Sequence, residues 1–252
     1  MMRRIKLVGA IATLVTLAIA ASDARASTVI GQVPPLAGGL AGCGNIDESV
    51  AQLAVSGGPS YIVPTPGGVI TSWRAGGLDG DRDLALRVFT GDPSGTSFTP
   101  VEESQTETFP SGMNPSFPTQ IRVSGGELLG LHIPVGPNVS GCIYVGAGGG
   151  NTWSMANSVM PVGQPETHTA IPDGRLNVSA VLESDADHDG FGDETQDLCP
   201  TDASTQGACP VTPVTTPVTT APSVKKKKCK KHKKKHRSAE SAKKKCKKKK
   251  RK

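Results

Sequence analysis

From Asp185 to Pro200 the chain reads Asp-Ala-Asp-His-Asp-Gly-Phe-Gly-Asp-Glu-Thr-Gln-Asp-Leu-Cys-Pro. Carboxylates fall at positions one, three and five of this stretch (Asp185, Asp187, Asp189), then Gly190 at six, Phe191 at seven and Asp193 at nine. A hard cation with oxygen ligands asks for that order: carboxylates on alternate residues of a tight loop, a glycine where the chain turns, and a main-chain carbonyl just after it. The alternative is an acidic solvated loop, but four aspartates in this register with the glycine in place mark a calcium loop. The expected ligands are Asp185, Asp187, Asp189, Asp193 and the Phe191 carbonyl.

The segment closes with Asp197-Leu198-Cys199-Pro200. With that ending it resembles a single thrombospondin type 3 repeat, whose pattern is Asp-x-Asp-x-Asp-Gly, a further Asp, and a final Asp before x-Cys-Pro. The resemblance covers this short segment alone and implies Ca2+ in an extracellular, disulfide-supported loop, with Asp197 joining the ligand set. Two details depart from the family: Asp193 and Asp197 are four apart where the family has three, and position twelve is Gln196. The closing ligand is therefore Asp197, Glu194 or a water. There is no tandem array, so the long calcium-rich wire of that family cannot form.

Other reactive groups are more scattered. Asp79, Asp81 and Asp83 could hold a second ion or serve as the acids of a polymer hydrolase, but a turn leading into a strand at Leu84 explains them as well. His132 and His168 have no evident nucleophile, since the chain has neither Gly-x-Ser-x-Gly nor His-Glu-x-x-His. Trp73 and Trp153 could be stacking platforms for sugars, although tryptophan in a β-sandwich is more often core. The glycine run at 146–150 lacks the Lys-Ser/Thr of a phosphate loop and reads as a turn. No catalytic set emerges, and the expectation is a protein that is not an enzyme.

The elements that must position these groups are strands. Short runs rich in Val, Ile, Thr and aromatic residues, bounded by Gly, Pro, Asp and Ser, fall at 61–63, 68–74, 84–90, 98–102, 105–109, 119–123, 127–133, 142–146 and 175–182. In Ile121-Arg122-Val123 and Leu84-Ala85-Leu86-Arg87-Val88 the arginine alternates with apolar neighbours, which predicts half-buried strands with the charge facing solvent. Ser124-Gly125-Gly126 reads as a hairpin connection. With no sustained 3.6-residue period, the fold class is all-β: one sandwich or jelly roll over residues 27–182, followed by the calcium loop at 183–210.

Flanking segments set the compartment. Residues 1–26 have the order of a secretory signal: Arg3, Arg4 and Lys6, an apolar run from Leu7 to about Ala21, then Ala24-Arg25-Ala26 as a cleavage site. That run is short of the roughly 20 residues needed to cross a bilayer, so the sequence predicts secretion and no transmembrane segment. Six cysteines in an oxidising compartment suggest disulfides between neighbours, Cys43–Cys142, Cys199–Cys209 and Cys229–Cys246. Residues 211–224 form a Thr/Pro spacer, and 225–252 a polylysine tail too charged to collapse. The tail is similar in composition to Lys/His/Cys tails on secreted proteins of high-GC Gram-positive bacteria.

The formal net charge of +6 hides a sharp asymmetry. Residues 225–252 carry 19 Lys or Arg and one acid, whereas residues 27–224 carry 5 Arg, no Lys and 20 acids. Block segregation of this kind marks an interaction tail on a body with different work to do. Behind a signal, the accessible polyanions are cell-wall or surface polymers, with nucleic acid as a non-specific partner. The reading is a secreted, envelope-associated calcium-binding protein of adhesive type whose β-domain takes a carbohydrate or protein ligand. The alternatives are a polysaccharide-acting hydrolase and a purely structural envelope component.

Overall fold

The computed structural model describes residues 26–33, 39–76, 78–146 and 149–211. The signal-like segment but for its last residue, nearly all of the spacer, the lysine tail and the Cys229–Cys246 pairing lie outside the described residues. Within them the chain is all-β. The strands are β1 (Thr28–Gln32), β2 (Gly39–Cys43), β3 (Glu48–Ala54), β4 (Gly68–Ala75), β5 (Arg82–Thr90), β6 (Ser97–Glu103), β7 (Glu107–Phe109) and β8 (Phe117–Val123). They continue as β9 (Leu128–Ile133), β10 (Val139–Val145), β11 (Thr152–Ala156), β12 (Glu166–Thr167), β13 (Thr169–Pro172), β14 (Gly174–Leu176) and β15 (Val178–Glu183).

Three antiparallel sheets make a nearly closed, barrel-like sandwich. One has the order β1-β15-β4-β8, a second β14-β10-β2, and the largest β12-β6-β5-β9-β3-β11-β13, with β7 on the free stretch of β5. One apolar core collects Ile30, Trp73, Leu86, Leu131, Cys142 and Val178 from all three sheets. Burial of that shared surface is the main force holding the sheets face to face. Both tryptophans belong to the interior, Trp73 at 1% exposure and Trp153 at 7%. Cys43 and Cys142 are joined, with Cα atoms 5.3 Å apart; Cys43 ends β2, which pairs with β10.

Several expectations change in three dimensions. Ser124-Gly125-Gly126 is not a hairpin: β8 pairs with β4 and β9 with β3 and β5, so this turn carries the chain between sheets. The run at 175–182 is broken by Asn177, fully buried, whose side chain donates to Gly76 and Gly141 carbonyls where the chain passes from one sheet to another. Arg87 does not face solvent. At 1% exposure it sits on the second face of β5 beside a smaller apolar cluster of Ala51, Leu53, Phe89, Phe98 and Leu128. Strands β2 and β3 carried no clear signal, because Gly39-Leu-Ala-Gly-Cys is glycine-rich and Glu48-Ser-Val-Ala-Gln-Leu-Ala buries polar residues along with its apolar ones.

The compact unit that contains the sheets extends to Pro210, and a second unit begins at Val211. The acidic loop therefore lies in the same unit as the strands.

Candidate metal centre

The loop begins where β15 ends. Glu183, the last residue of that strand, is 1% exposed and accepts four hydrogen bonds: from the Thr71 hydroxyl (2.8 Å), the Thr195 hydroxyl (2.7 Å), and the main-chain N–H groups of Glu194 (3.0 Å) and Thr195 (2.9 Å). Burial works to raise its pKa, but these bonds outweigh it and hold the carboxyl below its ordinary range. The loop's far side is thus fastened to β4 by an ionised, fully engaged carboxylate. Sequence reasoning passed over this residue because it lies just before the aspartate pattern.

Strand β8 grips the other side. Gln120 donates from Nε2 to the Gly190 carbonyl at 2.7 Å, and Gln196 donates from Nε2 to the Thr119 carbonyl at 2.8 Å. The Gly190 main chain, at φ +89°, lies against the Arg122 guanidinium, and a Cβ there would collide with it. Glycine suits this position because of the left-handed turn; the guanidinium is the end of a flexible, exposed side chain that can move aside. His188 also adopts left-handed φ, +62°.

Held this way, the loop converges its aspartates. One carboxylate oxygen from each of Asp185, Asp187 and Asp189 lies within 4.8 Å of the others, so the group could hold a metal ion. The main chain braces them: Gly190 N–H donates to Asp185 Oδ2 (3.0 Å), Asp189 N–H to Asp187 Oδ1 (3.3 Å), Phe191 N–H to Asp189 Oδ1 (2.8 Å) and Ala186 N–H to Asp193 Oδ1 (3.1 Å). The second oxygen of two of them has no protein partner: Asp185 Oδ1 and Asp187 Oδ2 are buried and unbonded.

Asp197 lies outside the group of three converging oxygens. Its residue is 1% exposed; Oδ1 accepts the Cys199 N–H at 2.8 Å, and Oδ2 is buried with no partner. Burial, and then the charges of Asp185, Asp187 and Asp197, push the Asp193 pKa above its ordinary value despite the Ala186 hydrogen bond. That coupling places Asp193 and Asp197 in the same electrostatic field as the first carboxylates. Gln196, at position twelve, is occupied elsewhere: its Oε1 accepts the Gly192 N–H at 3.2 Å while Nε2 holds Thr119. Glu194 is exposed and offers its N–H to Glu183. Of the closing candidates within the chain, Asp197 is the one the fold turns inward.

The disulfide lies directly behind. Cys199 and Cys209 are joined, Cα atoms 4.7 Å apart. The ring they close brings Leu198 N–H to the Gln206 carbonyl (2.9 Å) and sends Gln206 Nε2 back to Asp189 Oδ2 (2.9 Å). Unpaired buried carboxylate oxygens are expensive in a low-dielectric site, and a bound cation relieves both the desolvation and the mutual repulsion. The donor set is all oxygen, which suits a hard cation.

Elsewhere the structure separates what the sequence placed together. Asp79 Oδ1 accepts the Ser140 N–H (2.5 Å), Asp81 Oδ1 the Ser111 N–H (2.8 Å) and Asp83 Oδ1 the Thr108 hydroxyl (2.6 Å), so the three carboxylates brace three different segments. It also joins what the sequence left apart. The Ser154 hydroxyl lies 3.0 Å from His168 Nδ1, and His168 Nε2 3.0 Å from Glu166 Oε2. Arg87 bridges Glu166 (2.7 Å) to Glu103 (2.8 Å), and Glu103 and Asp47 each lie 2.9 Å from a His132 ring nitrogen. Ser154 and His168 are at 0% and 2% exposure, with His168 edge-on to Phe89 and Phe98. This serine is sealed inside a structural network and reaches no solvent.

The chain matches no protein-family model, no curated protein and no solved structure.

Proposed function

We propose that the chain is a secreted, envelope-associated calcium-binding protein of adhesive type, its loop at 183–210 stiffened by Ca2+ and its lysine tail drawn to anionic surface polymers. The observation that carries the calcium reading is the set of buried, unbonded oxygens of Asp185, Asp187 and Asp197 in a loop with calcium-ligand spacing. Six donors, the five aspartates and the Phe191 carbonyl, meet the lower end of the six to eight oxygens that calcium takes, whereas magnesium demands a stricter octahedron. The two disulfides fit an oxidising compartment. The block of positive charge at 225–252 supports attraction to polyanions.

Calorimetric titration tests the metal. Calcium should bind with a dissociation constant of about 10⁻⁴ to 10⁻³ M, as in extracellular modules, and Asp187→Ala and Asp189→Ala should each remove the heat while preserving the far-ultraviolet signature of the strands. No heat in the wild type, or heat unchanged in both variants, overturns the reading.

A further inference from the structure

Beside the metal loop runs a cleft of about 620 Å³, of a size to take one or two sugar rings. Asp185, one of the three converging carboxylates, and Asp193 form part of its wall. The cleft and the cluster therefore share Asp185. The wall also includes the Thr65-Pro66-Gly67 turn, Ser124, Thr28 and Ser184.

Two features limit what the cleft can accept. The hydroxyls of Thr28, Thr65, Ser124 and Ser184 make no hydrogen bond among the described residues, nor does Arg122, at one end, have an ion-pair partner among them. Beyond the carboxylates of Glu183, Asp185 and Asp193 and the His188 imidazole, the wall thus offers neutral donors and acceptors with one guanidinium. The charge balance then opposes an anion: five aspartates around a divalent ion leave a negative excess that Arg122 alone does not cancel. The loop's own donors also leave room on the metal. Six monodentate groups fall short of calcium's upper coordination number, and Gln196, in the position of the usual bidentate carboxylate, is engaged with Thr119 and Gly192. Asp197 Oδ2, buried and unpartnered, marks the cluster as built for an ion and not only for turn geometry.

We propose that this cleft is a calcium-dependent binding site for a neutral carbohydrate, a vicinal diol of the sugar completing the coordination of the ion beside Asp185 and Asp193. The inference rests on the calcium reading above. The hydroxyl-rich wall orients the ring, Arg122 donates to its remaining oxygens, and the ion supplies the main affinity. Loading the loop with calcium and seating the sugar are coupled, so each strengthens the other.

Saturation-transfer NMR on the full chain tests it, with methyl α-mannopyranoside and methyl β-galactopyranoside as probes of the two 3,4-diol configurations. Both are uncharged, so the lysine tail does not attract them. Methyl glucuronoside is the anionic comparison, and calorimetry monitors calcium in the same samples. At least one neutral glycoside should bind with calcium present and weaken by roughly tenfold or more under chelator. Ser124→Trp, which fills the cleft from its wall, should abolish sugar binding with calcium affinity unchanged; Thr65→Trp replaces it if that variant does not fold. Calcium heat without a response from either neutral glycoside, or a response indifferent to chelator or to the filled cleft, overturns the sugar site alone. Binding of the glucuronoside but of neither neutral probe overturns the assignment of a neutral ligand. Absence of calcium heat overturns the calcium reading, and this inference with it.

Discussion

Glu183 touches no candidate ligand position directly, yet its four hydrogen bonds join β4, the end of β15 and the turn that carries Thr195. Replacing it by alanine leaves two hydroxyls and two main-chain N–H groups without their acceptor, at a cost of about 2–3 kcal/mol. We expect Glu183→Ala to lower the thermal midpoint and to weaken calcium binding, measured by calorimetry, because the aspartates lose their common support. The sign with pH follows from its depressed pKa: the stabilisation is present above the ordinary glutamate value of 4.5 and is lost as pH falls through the lower folded value. Thermal melts of Glu183→Gln should accordingly fall less steeply in acid than those of the wild type. Gly190→Ala is expected to cost more than an ordinary surface exchange, since alanine is strained at this left-handed φ.

At the level of elements, two braces act on the loop from opposite sides. Strand β8 holds it through Gln120 and the Thr119 carbonyl, and the disulfide ring holds it through Gln206 on Asp189. Reducing Cys199–Cys209 releases the second brace and frees the backbone around Asp197, so calcium affinity should fall roughly tenfold while the strands keep their circular dichroism. A reduced protein with unaltered affinity would show that β8 and Glu183 suffice. On the largest sheet, His132 of β9 ties Glu103 of β6 to Asp47 before β3. Burial disfavours its protonation, but the hydrogen bonds to Glu103 and Asp47 outweigh that and raise its pKa above 6.5. A raised histidine stabilises fully below its unfolded value and loses that contribution as pH rises through the folded one. The midpoint difference between wild type and His132→Gln should therefore be larger near about pH 5.5 than near about pH 9.

For the whole molecule the governing quantity is the division of charge between a body of 5 Arg and 20 acids and a tail of 19 Lys or Arg with one acid. Three of those five arginines, Arg82, Arg87 and Arg175, are at most 7% exposed, as are the acids Glu48, Glu127, Glu166, Glu183 and Asp197, so the exposed surface of the body keeps a strong acidic excess. If the tail anchors the protein to anionic envelope polymers, retention should fall steeply between about 0.05 and 0.5 M salt as screening shortens the Debye length. Deleting residues 225–252 should move the protein into the medium with calcium affinity unchanged. Retention that survives the deletion at low salt would place the anchor in the β-domain instead.

Local chemistry set the legible part. The aspartate register, the strand-forming runs and the pairing of nearby cysteines depend on spacing along the chain, and the structure brings Asp185, Asp187 and Asp189 together and joins Cys199 to Cys209. The hydrophobic alternation at Ile121-Arg122-Val123 gave its face correctly, because one side of β8 is core and Arg122 is exposed. The same alternation misplaced Arg87, since β5 is covered on both faces and period two cannot distinguish solvent from a second layer carrying buried acids. Sheet membership was equally hidden: a glycine turn between two strands looks alike whether they pair or part, and only the competition of β4, β3 and β5 for partners sent β8 and β9 to different sheets. The residues that make the loop a site rather than a sequence pattern, Glu183, Gln120, Gln206 and the inward turn of Asp197, act across gaps in the chain that spacing does not encode. Sequence determined which donors are present; burial by the folded sheets decided which of their oxygens are left for an ion.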